Sequence, residues 1–304
     1  MKFSKIVSLI LAAVLALLCF TACGGDNDKD GSETGSGTGT AASTGDDTNG
    51  SDTGDSDKKV DESGVKLINE GKILVAAEIG YPPYENYAAD GVTPVGLDID
   101  LATEIASLMG VEVEFVNTAF EGILDGLETN KYDMVISAVT INAKRSAQVD
   151  FSTPYINNYQ AIVVKKGSDK GIDDILDLKD LSVGFQTGTT SNEKLDQMES
   201  TGELTVEQKA YDQILDAFND LKLEGRLDAI LCDSTVADGY VAQYPDTYEI
   251  VWVEETEPEQ FAVAVKKGNT ELLNAVNDAM AILEENGTLD ELRQTWLSGG
   301  AAEN

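Results

Sequence analysis

The sequence predicts an α/β protein with two lobes, each built on a mostly parallel sheet, and a hinge that the chain crosses twice. Short apolar segments, which suit buried strands, alternate with segments whose apolar residues recur at helical spacing. Two similar segments, QAIVVKKG at 160–167 and QFAVAVKKG at 260–268, mark two places where the chain leaves one sheet and enters another. The 304 residues suffice for two domains.

The first lobe is expected at residues 65–155 plus 261–298. Its first part has the order strand, helix, strand, helix, strand, which right-handed crossovers turn into a parallel sheet. The strands are predicted at Lys72–Ala77, Val111–Val116 and Asp133–Ile136, and the helices at Asp98–Met109 and Phe120–Leu127. Apolar residues again recur at helical spacing over Glu271–Leu297, which predicts helix with a break at Asn286-Gly287. Residues 299–304 form a predicted tail.

The second lobe is expected at residues 160–257, with crossings near Tyr155–Gln160 and Glu257–Phe261. Its strands are predicted at Ala161–Lys165, Leu181–Phe185, Leu204–Lys209, Leu227–Leu231 and Tyr248–Val253. Its helices are predicted at Ile175–Leu178, from Thr190 onward, at Tyr211–Glu224 and at Ser234–Tyr244. Two crossings make a hinge, so a cleft is expected between the lobes.

Composition excludes several classes of function. The formal net charge of -34 makes nucleic acid a poor partner, because phosphate binding needs a basic surface. The chain has no histidine, which rules out histidine-dependent catalytic triads and the common zinc sites. Cys19 and Cys23 lie near the N-terminus and leave Cys232 alone in the body of the chain, so no disulfide framework is expected.

Residues 1–22 have the features of a secretory signal peptide. Two lysines precede an apolar run from Ile6 to Phe20, which is shorter than the roughly 20 residues that a membrane span needs. The ending Phe20-Thr21-Ala22-Cys23 resembles a bacterial lipobox, in which the cysteine after the cleavage site carries lipid, although leucine is usual where Phe20 stands. We expect lipidation of Cys23. Ordinary cleavage, which leaves a secreted protein with a free thiol, is the alternative.

Residues 23–60 form the predicted tether that follows the cleavage site. Gly, Ser, Thr, Asp and Asn dominate this segment, and so few large apolar side chains cannot offset chain entropy, which predicts disorder. A flexible chain of this length spans on the order of 30 Å. Lipid and tether together predict a domain held at the extracellular face of the bacterial cell membrane.

Arg145 is the first candidate for ligand binding. It follows small and hydroxyl residues at 137–140, which come at the carboxyl end of the strand predicted at Asp133–Ile136. Open α/β sheets bind ligands at that end, and a guanidinium can donate two parallel hydrogen bonds to a carboxylate. A surface arginine paired with Asp150 is the alternative that this stretch leaves open.

A second candidate for ligand binding is the helix start at Thr190, which follows the stretch that begins at Gln186. Thr190 and Glu193 have the spacing of a capping box. The unpaired N–H groups at such a helix start can hold an anion, and a purely structural cap is the alternative.

Six stretches carry a resemblance to a known family. They are Tyr81-Pro82-Pro83-Tyr84-Glu85, Val95–Leu101 (VGLDIDL), Tyr132–Ser137 (YDMVIS), Lys144-Arg145, Asp150–Tyr155 (DFSTPY) and Asn286–Leu289 (NGTL). In this order and spacing the chain resembles the extracellular solute-binding proteins of amino-acid ABC transporters, over residues 65–298. The resemblance implies a two-lobed, periplasmic-binding-protein-like fold that holds a polar amino acid between its lobes.

The resemblance implies which residues hold the α-carboxylate of the ligand. Arg145 should grip it, and Thr140 should donate a further hydrogen bond. Thr189 or Thr190, at the helix start in the second lobe, should do the same.

The resemblance assigns the α-ammonium group to Asp233, helped by the backbone carbonyl of Ala138. Glycine or serine is frequent in the family where Ala138 stands; a backbone contact survives that change and a hydroxyl contact does not. Because Arg145 and Asp233 come from different lobes, ligand should shift the hinge toward closure.

Four residues should contact the side chain of the ligand. Tyr81 and Phe120 should sandwich it, and Glu78 and Gln186 stand where relatives touch its far end. A glutamate there disfavours an acidic ligand, because two carboxylates repel each other at low dielectric. The sequence therefore favours a basic amino acid, and an amide-bearing ligand such as glutamine is the alternative.

The expected function is that of a binding lipoprotein that delivers an amino acid to an ABC transporter permease. We expect a monomer without catalytic residues, metal or cofactor, and no P-loop pattern occurs in the chain. An enzyme on the same fold, such as a cyclohexadienyl or arogenate dehydratase with Glu78 as its acid–base group, is one alternative. A surface protein that senses a ligand is the other.

Overall fold

The computed structural model describes residue 60 and residues 64–297. The predicted signal peptide at 1–22, Cys23, the rest of the tether up to residue 59 and the tail at 299–304 lie outside the described residues.

The helices and strands follow the predicted order, with several short strands added. The elements before the first crossing are β1 (Lys72–Ala77), β2 (Asn86–Tyr87), β3 (Pro94–Val95), α1 (Leu97–Leu108), β4 (Glu112–Asn117), α2 (Asp125–Glu128), β5 (Met134–Val135), α3 (Ala143–Gln148) and β6 (Val149–Phe151). The next elements are β7 (Ile156–Asn158), β8 (Gln160–Lys165), a 3-10 turn (Ile175–Leu178), β9 (Ser182–Gln186), α4 (Thr190–Thr201), β10 (Glu207–Tyr211), α5 (Ile214–Leu221), β11 (Ala229–Asp233), α6 (Ser234–Gln243), β12 (Tyr248–Val253) and β13 (Glu259–Phe261). The last described elements are β14 (Ala264–Lys266), α7 (Thr270–Glu285) and α8 (Thr288–Leu297).

Two five-stranded sheets form the two lobes, in the strand orders β4-β1-β5-β14-β6 and β10-β9-β11-β8-β12. In the first sheet β4, β1 and β5 pair in parallel, and β14 is antiparallel to both β5 and β6. In the second sheet β10, β9 and β11 pair in parallel, and β8 is antiparallel to both β11 and β12. Four of the five strands in each sheet therefore run in one direction, which confirms the predicted fold class.

Two short strands connect the lobes. β7 pairs antiparallel with β13, with Asn158 opposite Glu259 and Ile156 opposite Phe261. Phe261 also bridges to Thr140, and its fully buried ring packs edge-on against Tyr84, with the ring centroids 5.4 Å apart. This antiparallel pair is the hinge with two crossings that the sequence predicts.

Helices cover the sheets and bury their apolar faces. In the first lobe α1 packs against α7 and α8, and the indole N–H of Trp296 donates to Asp100. In the second lobe the ring of Phe218 stacks on Tyr240, with the centroids 3.7 Å apart. Among the described residues, no helix combines the length and the apolar character that crossing a bilayer requires.

Two local predictions are wrong. The helix predicted at Phe120–Leu127 is limited to Asp125–Glu128, because Gly122 has a φ of 79°, which a right-handed helix does not allow. The N-cap of α4 is Thr189 rather than Thr190, since the Thr189 side chain accepts a hydrogen bond from the backbone N–H of Asn192. The expected partner in the capping box, Glu193, accepts hydrogen bonds from Lys144 and Asn142 of the other lobe instead.

Candidate ligand-binding site

The carboxyl ends of β1, β5, β9 and β11 meet at the cleft between the lobes, and they bring the predicted binding residues together. A cavity there is lined by Tyr81, Phe120, Ser137, Ala138, Thr140, Arg145, Gln186, Thr189, Thr190 and Asp233. Every predicted binding residue except Glu78 is in this set, and Glu78 is hydrogen-bonded to Gln186. Ser137 lines the cavity although it was not among the predicted binding residues.

Arg145 is buried at the cleft. The side chain of Asn142 caps α3 by accepting from the backbone N–H of Arg145, which fixes the start of this helix. The guanidinium donates to the carbonyl of Thr140 at 2.9 Å and, across the cleft, to that of Gly188 at 3.1 Å. It also lies over the ring of Phe120, 5.4 Å from the centroid.

The alternative pairing of Arg145 with Asp150 is wrong. Asp150 instead pairs with Lys267 at 2.6 Å. Burial lowers the pKa of the Arg145 guanidinium from its ordinary value, and Glu193 and Asp233 oppose this effect. A buried guanidinium whose present partners are neutral carbonyls is suited to an anionic ligand group.

Asp233 ends β11 and faces Arg145 from the second lobe. It precedes α6, yet its side chain makes no capping hydrogen bond, so a structural cap does not explain it. The Tyr81 hydroxyl donates to Oδ2 at 2.5 Å, and the amides of Asn158 and Gln160 donate to Oδ1 at 2.7 and 3.2 Å. Burial, followed by the nearby charge of Glu259, raises the pKa of Asp233 to about 7.

Glu259, on the hinge strand β13, joins the cleft residues of both lobes. Its Oε2 accepts hydrogen bonds from the hydroxyls of Thr140 at 3.3 Å and Thr190 at 3.0 Å. The Gln160 amide donates to the same oxygen at 3.2 Å. Sequence reasoning missed Glu259, Asn158 and Gln160, and their position at the predicted crossings was the one signal that could have indicated them.

Glu78 and Gln186 form a polar pair at the far end of the cleft. The Gln186 amide donates to Glu78 and to the carbonyl of Asp212, the latter at 3.0 Å. The Gln186 Oε1 atom is buried without a hydrogen-bond partner. Burial is the main cause of a raised pKa of Glu78, although the bonds from Gln186 and the Phe120 backbone lower it. Acceptor oxygens therefore dominate this end of the cleft.

Ala138 has a φ of 45°, in the left-handed region that residues with a side chain seldom adopt. Its backbone N–H donates to Asp98 at 2.7 Å, inside the first lobe.

Among the described residues, no group of three or more acidic, cysteine or histidine side chains is arranged to hold a metal ion.

The cavity is small because the lobes contact each other across it. Its volume is about 10 Å³, close to one water-sized sphere, whereas ligand pockets commonly measure about 300–1,000 Å³. Three interlobe hydrogen bonds border it, from Tyr81 to Asp233, from Arg145 to Gly188 and from Gln186 to Glu78. Entry of a ligand therefore requires the lobes to separate.

Asp233→Asn is predicted to stabilise the ligand-free protein at alkaline pH. A carboxyl group with a raised pKa contributes stability that is fully present below its ordinary pKa and is lost as the pH rises through about 7. Asparagine does not titrate, so its advantage in unfolding free energy should be roughly 2–4 kcal/mol at about pH 8 and should vanish near pH 4.

Urea unfolding at several pH values measures this difference. Asp246→Asn, which changes an exposed aspartate in a turn, is the control and should leave the stability unchanged. A stability difference between Asp233→Asn and the original protein that does not vary with pH would contradict the prediction.

The chain matches a known protein family over most of its length. Residues 73–299 match the bacterial extracellular solute-binding proteins, family 3. The L-cystine-binding protein TcyJ of Escherichia coli K12 is 37% identical over 232 residues, which cover 76% of this chain and 84% of that protein. The ABC transporter arginine-binding protein 1 of the same organism is 33% identical over 229 residues, or 74% of this chain and 90% of that protein.

A solved structure gives the same result. An ancestral arginine-binding protein bound to arginine superposes with a TM-score of 0.69 at 40% identity, and the match covers 74% of this chain and 98% of that one. The two curated relatives are named as binding proteins rather than as dehydratases. The chain belongs to the bacterial extracellular solute-binding proteins, family 3, and is a binding protein rather than an enzyme.

Proposed function

We propose that this protein captures a basic amino acid between its lobes and delivers it to the permease of an ABC importer. The observation that carries the proposal is the approach of a buried cation, Arg145, and a buried carboxyl group, Asp233, from opposite sides of one cleft. An amino acid has one charge of each sign on adjacent groups, so it complements this pair.

The α-carboxylate would bind at Arg145, Thr140 and the threonines of the second lobe. Arg145 lies close to Thr140, since its guanidinium donates to the Thr140 carbonyl. The hydroxyls of Thr140 and Thr190 already converge on one carboxylate oxygen, that of Glu259. A ligand carboxylate would replace Glu259 as their acceptor, and Glu259 can move out because it is only half-buried. Thr189 lies beside them, although its side chain caps α4.

The α-ammonium group would bind at Asp233 and at the carbonyl of Ala138. Both residues line the cavity, and Asp233 accepts a hydrogen bond from the Tyr81 hydroxyl that an ammonium group could replace. Ligand would hold Asp233 in its charged form, because a cation within a few ångströms lowers the pKa of a carboxyl group.

The ligand side chain would extend between Tyr81 and Phe120 toward Glu78 and Gln186. A guanidinium or ammonium group is favoured there, because the Glu78 carboxylate and the unpartnered Gln186 Oε1 atom are both acceptors. The relatives named for arginine support this ligand class. The relative named for cystine is the reason to include cystine among the ligands tested.

Delivery would require closure around the amino acid at one location and release at another. The hinge at β7 and β13 supplies the motion, and ligand would favour the closed form because only that form satisfies both of its charges.

We also propose lobe boundaries at 65–155 with 261–298 and at 160–257. Lipid on Cys23 and the tether at 23–60 would hold a monomer near the permease.

Titration calorimetry with the twenty amino acids and cystine tests the ligand class. Arginine or lysine should bind most tightly, and Glu78→Gln should weaken their binding about tenfold while leaving glutamine unaffected, since the loss of one charge–charge contact costs about 1–2 kcal/mol. Arg145→Ala should weaken every ligand about a hundredfold, because it removes one partner of a buried charge pair.

Arg226→Ala is the matched control, since Arg226 lies outside the cleft and pairs with Asp220. It should bind like the original protein. Tight binding of glutamate or aspartate would refute the proposed ligand class. Undiminished binding by Arg145→Ala would refute the proposed carboxylate site.

Cys23→Ser is predicted to release the protein from bacterial membranes into the soluble fraction, because serine cannot carry the thioether-linked lipid. Fractionation followed by immunoblotting measures the change. Cys19→Ser, four residues upstream in the predicted signal peptide, is the control and should remain with the membrane. Membrane association that survives Cys23→Ser would show that another element holds the protein there.

A further inference from the structure

Two fully buried carboxyl groups lie side by side beneath the cleft in the first lobe. They belong to Glu85, just before β2, and to Asp98, in the first turn of α1. Each uses one oxygen to hold a neighbouring segment. The hydroxyl of Ser137 donates to Glu85 Oε1 at 2.5 Å, while the backbone N–H of Ala138 and the hydroxyl of Tyr155 donate to Asp98 Oδ2 at 2.7 and 2.9 Å.

The other oxygen of each group has no donor. Glu85 Oε2 and Asp98 Oδ1 are both buried without a partner from any N–H or hydroxyl group. The backbone places the two groups next to each other, because the N–H of Asp98 donates to the carbonyl of Tyr84, the residue before Glu85, at 3.0 Å. The side chains of Glu85 and Asp98 also accept from two consecutive residues, Ser137 and Ala138. Two ionised carboxylates in contact would repel each other strongly, so a proton has to lie between them.

We propose that Glu85 and Asp98 share one proton, and that this acid pair is the positioning element that fixes the Ser137–Ala138 backbone at the amino-acid site. The part of this proposal that concerns ligand affinity rests on the proposed function. The shared proton itself does not, because it follows from the hydrogen bonds inside the lobe.

The donors around the pair indicate where the proton resides. Asp98 accepts two hydrogen bonds and lies at the N-terminus of α1, and both features stabilise its negative charge. Glu85 accepts only one, from Ser137. The proton therefore belongs to Glu85 Oε2, which donates it to Asp98 Oδ1, and the pair as a whole carries one negative charge.

This pair reaches the cleft through Ser137 and Ala138. Asp98 holds the N–H of Ala138 and so maintains the left-handed backbone that directs the adjoining carbonyl. Ser137, held by Glu85, accepts from the backbone N–H of Glu78 at 3.1 Å. One shared proton thereby aligns the ends of β1 and β5, where the ligand ammonium group and side chain would bind.

Gly96 permits the close approach that the pair requires. Its φ is 139°, and a Cβ atom at this position would lie 2.1 Å from the carbonyl oxygen of Tyr84. Any side chain at residue 96 would push the segment that carries Glu85 away from the start of α1, and the two carboxyl groups would separate.

The proton makes the stability of the lobe depend on pH. The titratable groups that face the pair are Tyr84, Tyr155 and Glu78, and Glu78 adds negative charge. Burial raises the pKa of Glu85 well above its ordinary value and that of Asp98 to about 7. A raised pKa means that this contribution to stability is complete below the ordinary carboxyl pKa and is lost as the pH rises through the folded value.

Amide substitutions test the shared proton, because an amide supplies a donor that does not titrate. In Glu85→Gln the side-chain amide can donate to Asp98 Oδ1, and in Asp98→Asn it can donate to Glu85 Oε2. Each single substitution keeps one donor between the groups and one negative charge. The double substitution places two amide N–H groups against each other, since both carbonyl oxygens are needed by Ser137, Ala138 and Tyr155.

The experiment measures thermal unfolding of the ligand-free full chain from about pH 5 to about pH 9, and L-arginine affinity by calorimetry at about pH 7. Each single variant should unfold within a few degrees of the original protein at neutral pH and bind L-arginine within about threefold of it. Above neutral pH their unfolding temperatures should fall less steeply with pH. The double variant should unfold about 10 °C lower or more and bind far more weakly than the two single effects combined predict.

The shared proton would be overturned if the unfolding temperatures of the original protein and of Glu85→Gln depended equally on pH. It would also be overturned if the effects of the two single substitutions on unfolding temperature simply added in the double variant. If the double variant does not fold, Tyr155→Phe is the deciding variant, because it removes one hydrogen-bond donor to Asp98. The loss of stability with rising pH should then occur at higher pH than in the original protein. If the pH at the midpoint of that loss is unchanged, the proposal is overturned. Failure of the original protein to bind L-arginine would count against the proposed ligand class, and the unfolding data would still decide on the acid pair.

Discussion

The burial of two opposite charges in one cleft is the constraint on which the rest of this structure depends. Arg145 and Asp233 are both buried, and burying charge is unfavourable unless nearby groups compensate for it. Each lobe solves this with neutral hydrogen-bonding groups from its own strand ends and from the hinge. Only a partner that carries both charges would pair the two groups directly, which is why we propose that an amino acid binds in this cleft.

The closed cleft already contains internal substitutes for such a partner. Glu259 brings a carboxylate to Thr140 and Thr190, and the Tyr81 hydroxyl donates to Asp233. A ligand would exchange these contacts for its own rather than fill preformed space, because the cavity measures only about 10 Å³. Affinity would then be a difference between two sets of hydrogen bonds, so Glu259 at the hinge would influence it through the internal contacts that a ligand has to replace.

Much of the fold could be predicted because buried strands leave a strong pattern. Lys72–Ala77 and Tyr248–Val253 are strands with the predicted bounds, and the two sheets and the hinge have the predicted form. The two hinge strands have three residues each, which is too short for any periodicity, and this is why Asn158 and Glu259 were missed. The helix at Phe120–Leu127 was predicted from apolar residues, but the backbone of Gly122 overrides that pattern. The roles of the cleft residues stay predictions, since hydrogen bonds within the protein do not identify a ligand.

The most direct test of the two-charge clamp compares one ligand with two analogues that each lack a single charge. Calorimetry would measure the affinity of the basic amino acid that binds most tightly, of its decarboxylated amine and of its desamino acid. Loss of either charge should weaken binding about a hundredfold or more, because each leaves Arg145 or Asp233 buried without its partner. An analogue that binds as tightly as the amino acid would contradict the account, since the group it lacks could then have no charged partner in the cleft.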